Sequence, residues 1–109
     1  MAFDESIAQR VRKVLSEECV ADEKRMFGGL AFMVKGHMCC GVVGGDLVVR
    51  IGADGHERAV SQPHVRAMDF TGRPMRGFVY LGPPAYRSKS SLRKWIKAGL
   101  RFVSTLPPK

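Results

Sequence analysis

Residues 35–45, KGHMCCGVVGG, hold two of the chain's three cysteines, with His37 two residues before Cys39. Thiolate and imidazole are the usual ligands of zinc, and a thiol becomes a nucleophile when a nearby cation lowers its pKa. The spacing argues against a metal. Adjacent strand residues point to opposite faces, so Cys39 and Cys40 converge on one ion only across a bulge. Disulfide geometry also disfavours a bond between neighbours. By alternation, Cys40 joins Met38 and Val42 on an apolar face. Cys39 falls on the opposite face, level with His37 and near Phe32 and Arg50. His37 and Cys39 are thus the one thiol or metal candidate. His56 and His64 are scattered, and no Ser-His-Asp or paired-carboxylate arrangement is legible. The chain is expected to be no enzyme, with no catalytic residue, cofactor or metal.

Two further groups could bind. Arg73 and Arg76 flank a proline-stiffened turn in GRPMRG, where a loop on a rigid scaffold can meet an anion or a partner. Lys89, Arg93, Lys94, Lys97 and Arg101 fall on one side of a helical pattern and could follow a phosphate backbone. Neither a helix-turn-helix nor a zinc finger accompanies them. Gly28-Gly29 is no phosphate loop, because apolar strand-like residues rather than a helix follow it; a bend or bulge is expected there.

The elements that must position these groups are bounded by length and composition. A chain of 109 residues forms one domain, spanning 1–109, and buries ~65% of its unfolded surface without disulfides. No apolar run reaches the ~20 residues of a membrane helix. MAFDESIAQR does not read as a signal peptide, and the odd cysteine count suits reduced thiols, so a cytoplasmic location is expected. Charge is uneven: residues 1–65 carry 8 Lys/Arg against 9 Asp/Glu, and residues 66–109 carry 10 against Asp69 alone. A basic half attracts phosphates or acidic protein surfaces.

Ile7, Val11, Val14 and Leu15 predict a helix over 4–18, capped by Asp4, with Cys19 prolonging its stripe. Between Lys24 and Ile51, turns at Lys35-Gly36 and Gly44-Gly45 predict three strands. Their register sets Met33 opposite Met38, Ala31 opposite Cys40, Val42 opposite Leu47 and Cys40 opposite Val49. Ala31, Met33, Met38, Cys40, Val42, Leu47, Val49 and Ile51 then form the core face. Leu30, Phe32, Val34, His37, Cys39, Val43, Asp46, Val48 and Arg50 form a mixed, half-exposed face. A short helix over 53–62, strands over 66–70 and 75–81, and a helix over 89–106 capped by Ser88 complete the chain. Leu92, Trp95, Ile96, Gly99, Val103 and Leu106 line the buried side of that last helix. The predicted fold class is α+β: two layers, a five-stranded antiparallel sheet with helices mainly on one face, order α-β-β-β-α-β-β-α.

KRMFGGL (24–30), HMCCGVV (37–43) and DFTGRPMRGFV (69–79) together resemble the N-terminal domain of the TfoX/Sxy family of bacterial competence regulators. The likeness covers nearly the whole chain, and the combined motifs are fairly specific. It implies a small two-layer α/β unit with an antiparallel sheet. Met26, Phe27, Gly28, Gly29, Arg73, Pro74, Met75 and Gly77 match its motifs. No catalytic residue is attached to the family. Its full-length members add a helical domain and act as co-activators beside the cyclic-AMP receptor protein, switching on DNA-uptake genes. A stand-alone copy of the domain is expected.

The combined expectation is a small regulatory domain that binds a protein, from the transcription machinery or a second copy of itself, with no membrane contact. Its candidate partner surface is Phe32, His37, Cys39 and Arg50 with Arg73 and Arg76. The alternatives are direct nucleic-acid binding through the basic helix and a thiol or metal site at His37 and Cys39.

Overall fold

Asp4 opens the fold by capping α1 (Glu5–Ser16), accepting the Ser6 N–H at 2.9 Å and the Ser6 hydroxyl at 2.6 Å. These bonds, the hydroxyl's first, hold its carboxyl below the ordinary value. In this computed structural model, residues 3–26, 28–68 and 75–107 are described, apart from the side chains of Met75 and Arg76. After α1 come β1 (Asp22–Met26), β2 (Gly29–Val34), β3 (His37–Val43) and β4 (Asp46–Arg50). A 3-10 turn (Ala53–Gly55), α2 (His56–Val60), β5 (Val65–Met68), β6 (Met75–Leu81), α3 (Pro83–Tyr86) and α4 (Lys89–Val103) follow. Among the described residues, six strands form one antiparallel sheet in the order β1-β2-β3-β4-β6-β5.

The α+β class and the antiparallel sheet are as expected; the strand count is not. The additional strand, β1, reads DEKRM, and four of its five residues are exposed. It carries almost no apolar signal because it is a charged edge, the kind that discourages pairing between molecules. Arg12 on α1 ties it down. Its guanidinium grips both carboxylate oxygens of Glu23 at 2.6 and 2.8 Å and meets Glu5 at 2.7 Å. The predicted helix over 89–106 ends at Val103, and a one-turn helix, α3, follows Gly82.

Both predicted hairpin turns form. Lys35 and Gly36 have φ of 52° and 85°, the mirror-image turn that matches strand twist, and Gly44 stands at 57°. Three of the four predicted cross-strand pairs also form: Met33 with Met38, Val42 with Leu47 and Cys40 with Val49. The fourth does not. Phe32, not Ala31, lies opposite Cys40, because the β2–β3 register shifts between Phe32 and Met33 and leaves Cys39 as an extra residue in β3.

That single residue reverses the expected sides of β2. Leu30, Phe32 and Val34 join Cys40, Val42, Leu47 and Val49 in the core beneath the helices, where Ile7, Ala59, Tyr86, Leu92 and Trp95 also lie. Ala31, Met38, Val48 and Met68 form a second cluster made of strand residues, with Met33, Phe78 and Tyr80 packed against it. Among the described residues, α1, α2, α3 and α4 place their buried apolar side chains in the first cluster, so helices do pack on one face. Each large aliphatic side chain withdrawn from water there contributes roughly 1.5–3 kcal/mol.

Candidate functional site

Three of the six residues proposed from sequence to meet a partner are buried. Phe32 is 1% exposed, Cys39 0% and His37 8%, all on the helix side of the sheet. The bulge at Cys39 turns this side inward, and helices cover it. His37 has a structural task instead: its Nε2 lies 2.6 Å from the Pro107 carbonyl. A carbonyl can only accept, so Nε2 carries the proton and fastens the segment after α4 to the start of β3. Arg50 is half-buried between two rings, 5.3 Å from Phe78 and 5.4 Å from Phe102. Arg73 and the Arg76 side chain lie outside the described residues.

The bulge also decides the thiol chemistry. Cys39 and Cys40 both lie in the helix-side core, with Cys19, just beyond α1, packed against it. The Cys40 thiol is pushed well up, first by its hydrogen bond with Cys39 and then by burial. Burial, then the Cys39 charge, raises Cys19. Raised thiols are protonated near neutrality and are poor nucleophiles. Among the described residues no group of three His, Cys, Asp or Glu side chains is placed to hold a metal.

The motif glycines have local causes as well. Gly28 turns β1 into β2 with φ 75°, and a Cβ on Gly29 would stand 2.2 Å from the Val42 carbonyl oxygen. Gly77, at φ 95°, accepts the Ile51 and Gly52 N–H groups at 2.7 and 3.1 Å and donates its own N–H to His56 Nδ1 at 3.1 Å.

The outer side of the helical layer is different. Lys89, Lys94, Lys97 and Arg101 are exposed and Arg93 is half-buried, so the structure brings these predicted cations onto one helix. Two of them are tied: Arg93 to Glu17 at 2.9 Å and Lys97 to Glu18 at 3.7 Å. Exposed pairs of this kind contribute up to ~1 kcal/mol each and leave the cations reachable. Lys94 lies 5.2 Å from the Trp95 ring centroid. Among the described residues, no acidic side chain pairs with Lys89, Lys94 or Arg101. Arg10 and Lys13 of α1 border a shallow cleft with Lys89 and extend the positive surface.

Two larger clefts flank the last turns of α4. One, of about 360 Å³, lies between α2 and α4, with Arg58, Arg101, Phe102 and Ile51 among its walls. The other, of about 400 Å³, lies between α4, the end of α1 and the β2–β3 turn, walled by Val34, Leu100, Lys35, Lys97 and Glu18 among others. Arg101 borders both. Helix carbonyl ends disfavour anions by roughly 0.3–1 kcal/mol. Here the final carbonyls are already engaged: Leu100 O accepts the Ser104 N–H at 2.9 Å, Arg101 O the Ser104 hydroxyl at 2.7 Å and Phe102 O the Thr105 hydroxyl at 2.6 Å. Arg58 and Lys35 could not have been grouped with Arg101 from sequence, because they are far away along the chain and join it only through packing.

The fold is α+β, with an antiparallel sheet, helices packed on one face of it and a row of exposed cations along α4. The family model of the TfoX N-terminal domain matches residues 15–103, from the end of α1 through the last residue of α4. The chain belongs to the TfoX N-terminal domain family. No curated protein and no solved structure matches it. Among the described residues no helix is long and apolar enough to cross a membrane.

Proposed function

We propose that this chain is a non-enzymatic regulatory domain that acts by binding a protein partner through the outer face of its helices. Membership of the TfoX N-terminal domain family supports the regulatory part of this reading, with control of transcription or competence as its setting. The carrying observation for the surface is the set of exposed cations Lys89, Lys94 and Arg101, which have no acidic partner among the described residues. Such a face attracts an acidic protein surface and raises its association rate.

The test compares wild type with a Lys89→Glu/Lys94→Glu/Arg101→Glu variant of unchanged melting temperature, each immobilised in extract of the native cell. A protein retained by the wild type and lost by the variant is the expected result. Equal retention by both overturns the assigned surface. The linear array of cations along α4 also favours a second reading, direct nucleic-acid binding. Retardation of duplex DNA that weakens steeply between about 50 and 200 mM salt would replace the protein reading with that one.

A further inference from the structure

We infer that the two clefts beside the last turns of α4 form one docking site for an acidic, apolar peptide segment of the partner, laid across Arg101. This rests on the proposed protein-binding function and names the chemistry that function would recognise.

The two clefts are neighbours. Arg101 is exposed on the crest between them and borders both. Each combines apolar walls with cations. Phe102 and Ile51 line the first beside Arg58, and Val34 and Leu100 line the second beside Lys35 and Lys97. Among the described residues, four cations (Lys35, Arg58, Lys97 and Arg101) face one acid across both clefts, Glu18, which is engaged by Lys97 at 3.7 Å. A purely acidic ligand would leave the apolar walls wet, and a purely apolar one would leave the arginines unmatched. The complementary occupant has alternating carboxylates and large apolar side chains. Its carboxylates meet the guanidinium groups, which present a planar fork to them. Its apolar side chains fill the slots on either side. The volumes, about 360 and 400 Å³, fall in the range of ligand-sized pockets. Nucleic acid fits less well: a phosphate backbone would meet the cations but has nothing to place against Val34 and Leu100.

The test is a titration of the full chain, followed by amide chemical shifts, with three probes. They are a synthetic peptide of about twelve residues alternating Glu/Asp with Leu/Phe, a poly-glutamate peptide of equal charge, and a short DNA duplex. Saturable binding of the first alone is expected, with the largest shifts at Val34, Leu100, Phe102 and Thr105. Arg101→Glu is expected to weaken it at least tenfold. Arg58→Glu and Lys35→Glu, which each alter one cleft, are expected to weaken it less. Melting curves establish that all three exposed-site variants fold. Equal binding of poly-glutamate, DNA binding at the same amides, or unchanged affinity in Arg101→Glu overturns the site. If the alternating peptide fails while the native partner is still retained by wild type and lost by the triple variant, this inference fails and the protein-binding reading stands. If neither peptide nor partner binds, both fall.

Discussion

Gly99 of α4 lies directly against Cys39 of β3: a Cβ at position 99 would stand 2.9 Å from the Cys39 carbonyl oxygen, 3.2 Å from its Sγ and 3.2 Å from Val49 Cγ1. The glycine lets the helix settle onto the bulged strand, and two of those contacts are with the bulge residue itself. Gly99→Ala therefore forces α4 outward. The substitution is expected to lower stability by about 1–3 kcal/mol despite alanine's better helix propensity. Urea denaturation measures it, and an unchanged or raised midpoint would show that α4 is not seated this closely.

His56 and Gly77 make a second junction. The Gly77 N–H donates to buried His56 Nδ1, which therefore carries no proton. His56→Ala leaves a buried N–H without an acceptor and should cost roughly 1–3 kcal/mol. A thermal melt within error of wild type would rule out this role.

The thiols should discriminate themselves. Cys19 is half-buried, whereas Cys39 and Cys40 are fully buried. Iodoacetamide on the folded protein is expected to modify Cys19 slowly and the other two only after denaturation, as read by peptide mass spectrometry. Rapid native labelling of Cys39 would revive the reactive-thiol reading.

Much of the fold was legible in the sequence. Leu92, Trp95, Ile96, Gly99 and Val103 sit on the buried side of α4 as their helical spacing requires, and both two-residue turns formed. What failed was local and had large effects. One extra residue at Cys39 shifts the pairing, and a strand's period of two turns that slip into a reversal of faces. Phe32, Leu30 and Val34 therefore changed sides, and Phe32 of the expected partner surface went into the core with them. No residue type marks the bulge, since cysteine sits as readily in a regular strand. The cations of α4 were legible as one helix face. Their apolar clefts were not, because Arg58, Lys35 and Val34 meet α4 only in the folded molecule.

The bidentate contact between Arg12 and Glu23 predicts an acid-sensitive edge. Arg12 holds the Glu23 carboxyl below its ordinary value of 4.5. A depressed carboxyl stabilises the fold above its unfolded pKa and loses that contribution as pH falls through the folded value. The docking of β1 on α1 should weaken below about pH 4.5. Both side chains are partly exposed, so the loss is small. Protection factors across Asp22–Met26, corrected for the intrinsic exchange rate at each pH, should fall on acidification in wild type and already be low at neutral pH in Arg12→Ala. Equal protection in the two proteins at pH 7 would contradict the contact's role.

The most direct measurement is hydrogen–deuterium exchange of the chain with and without the partner retained in the capture experiment. Protection should concentrate on the outer side of the helical layer, in the last turns of α4, in the α2 segment carrying Arg58 and at the Lys35 turn, with the β5 edge unchanged. Protection confined to the sheet edges or to the strand face of Met33, Phe78 and Tyr80, with α4 exchanging as in the free protein, would contradict binding through the helices.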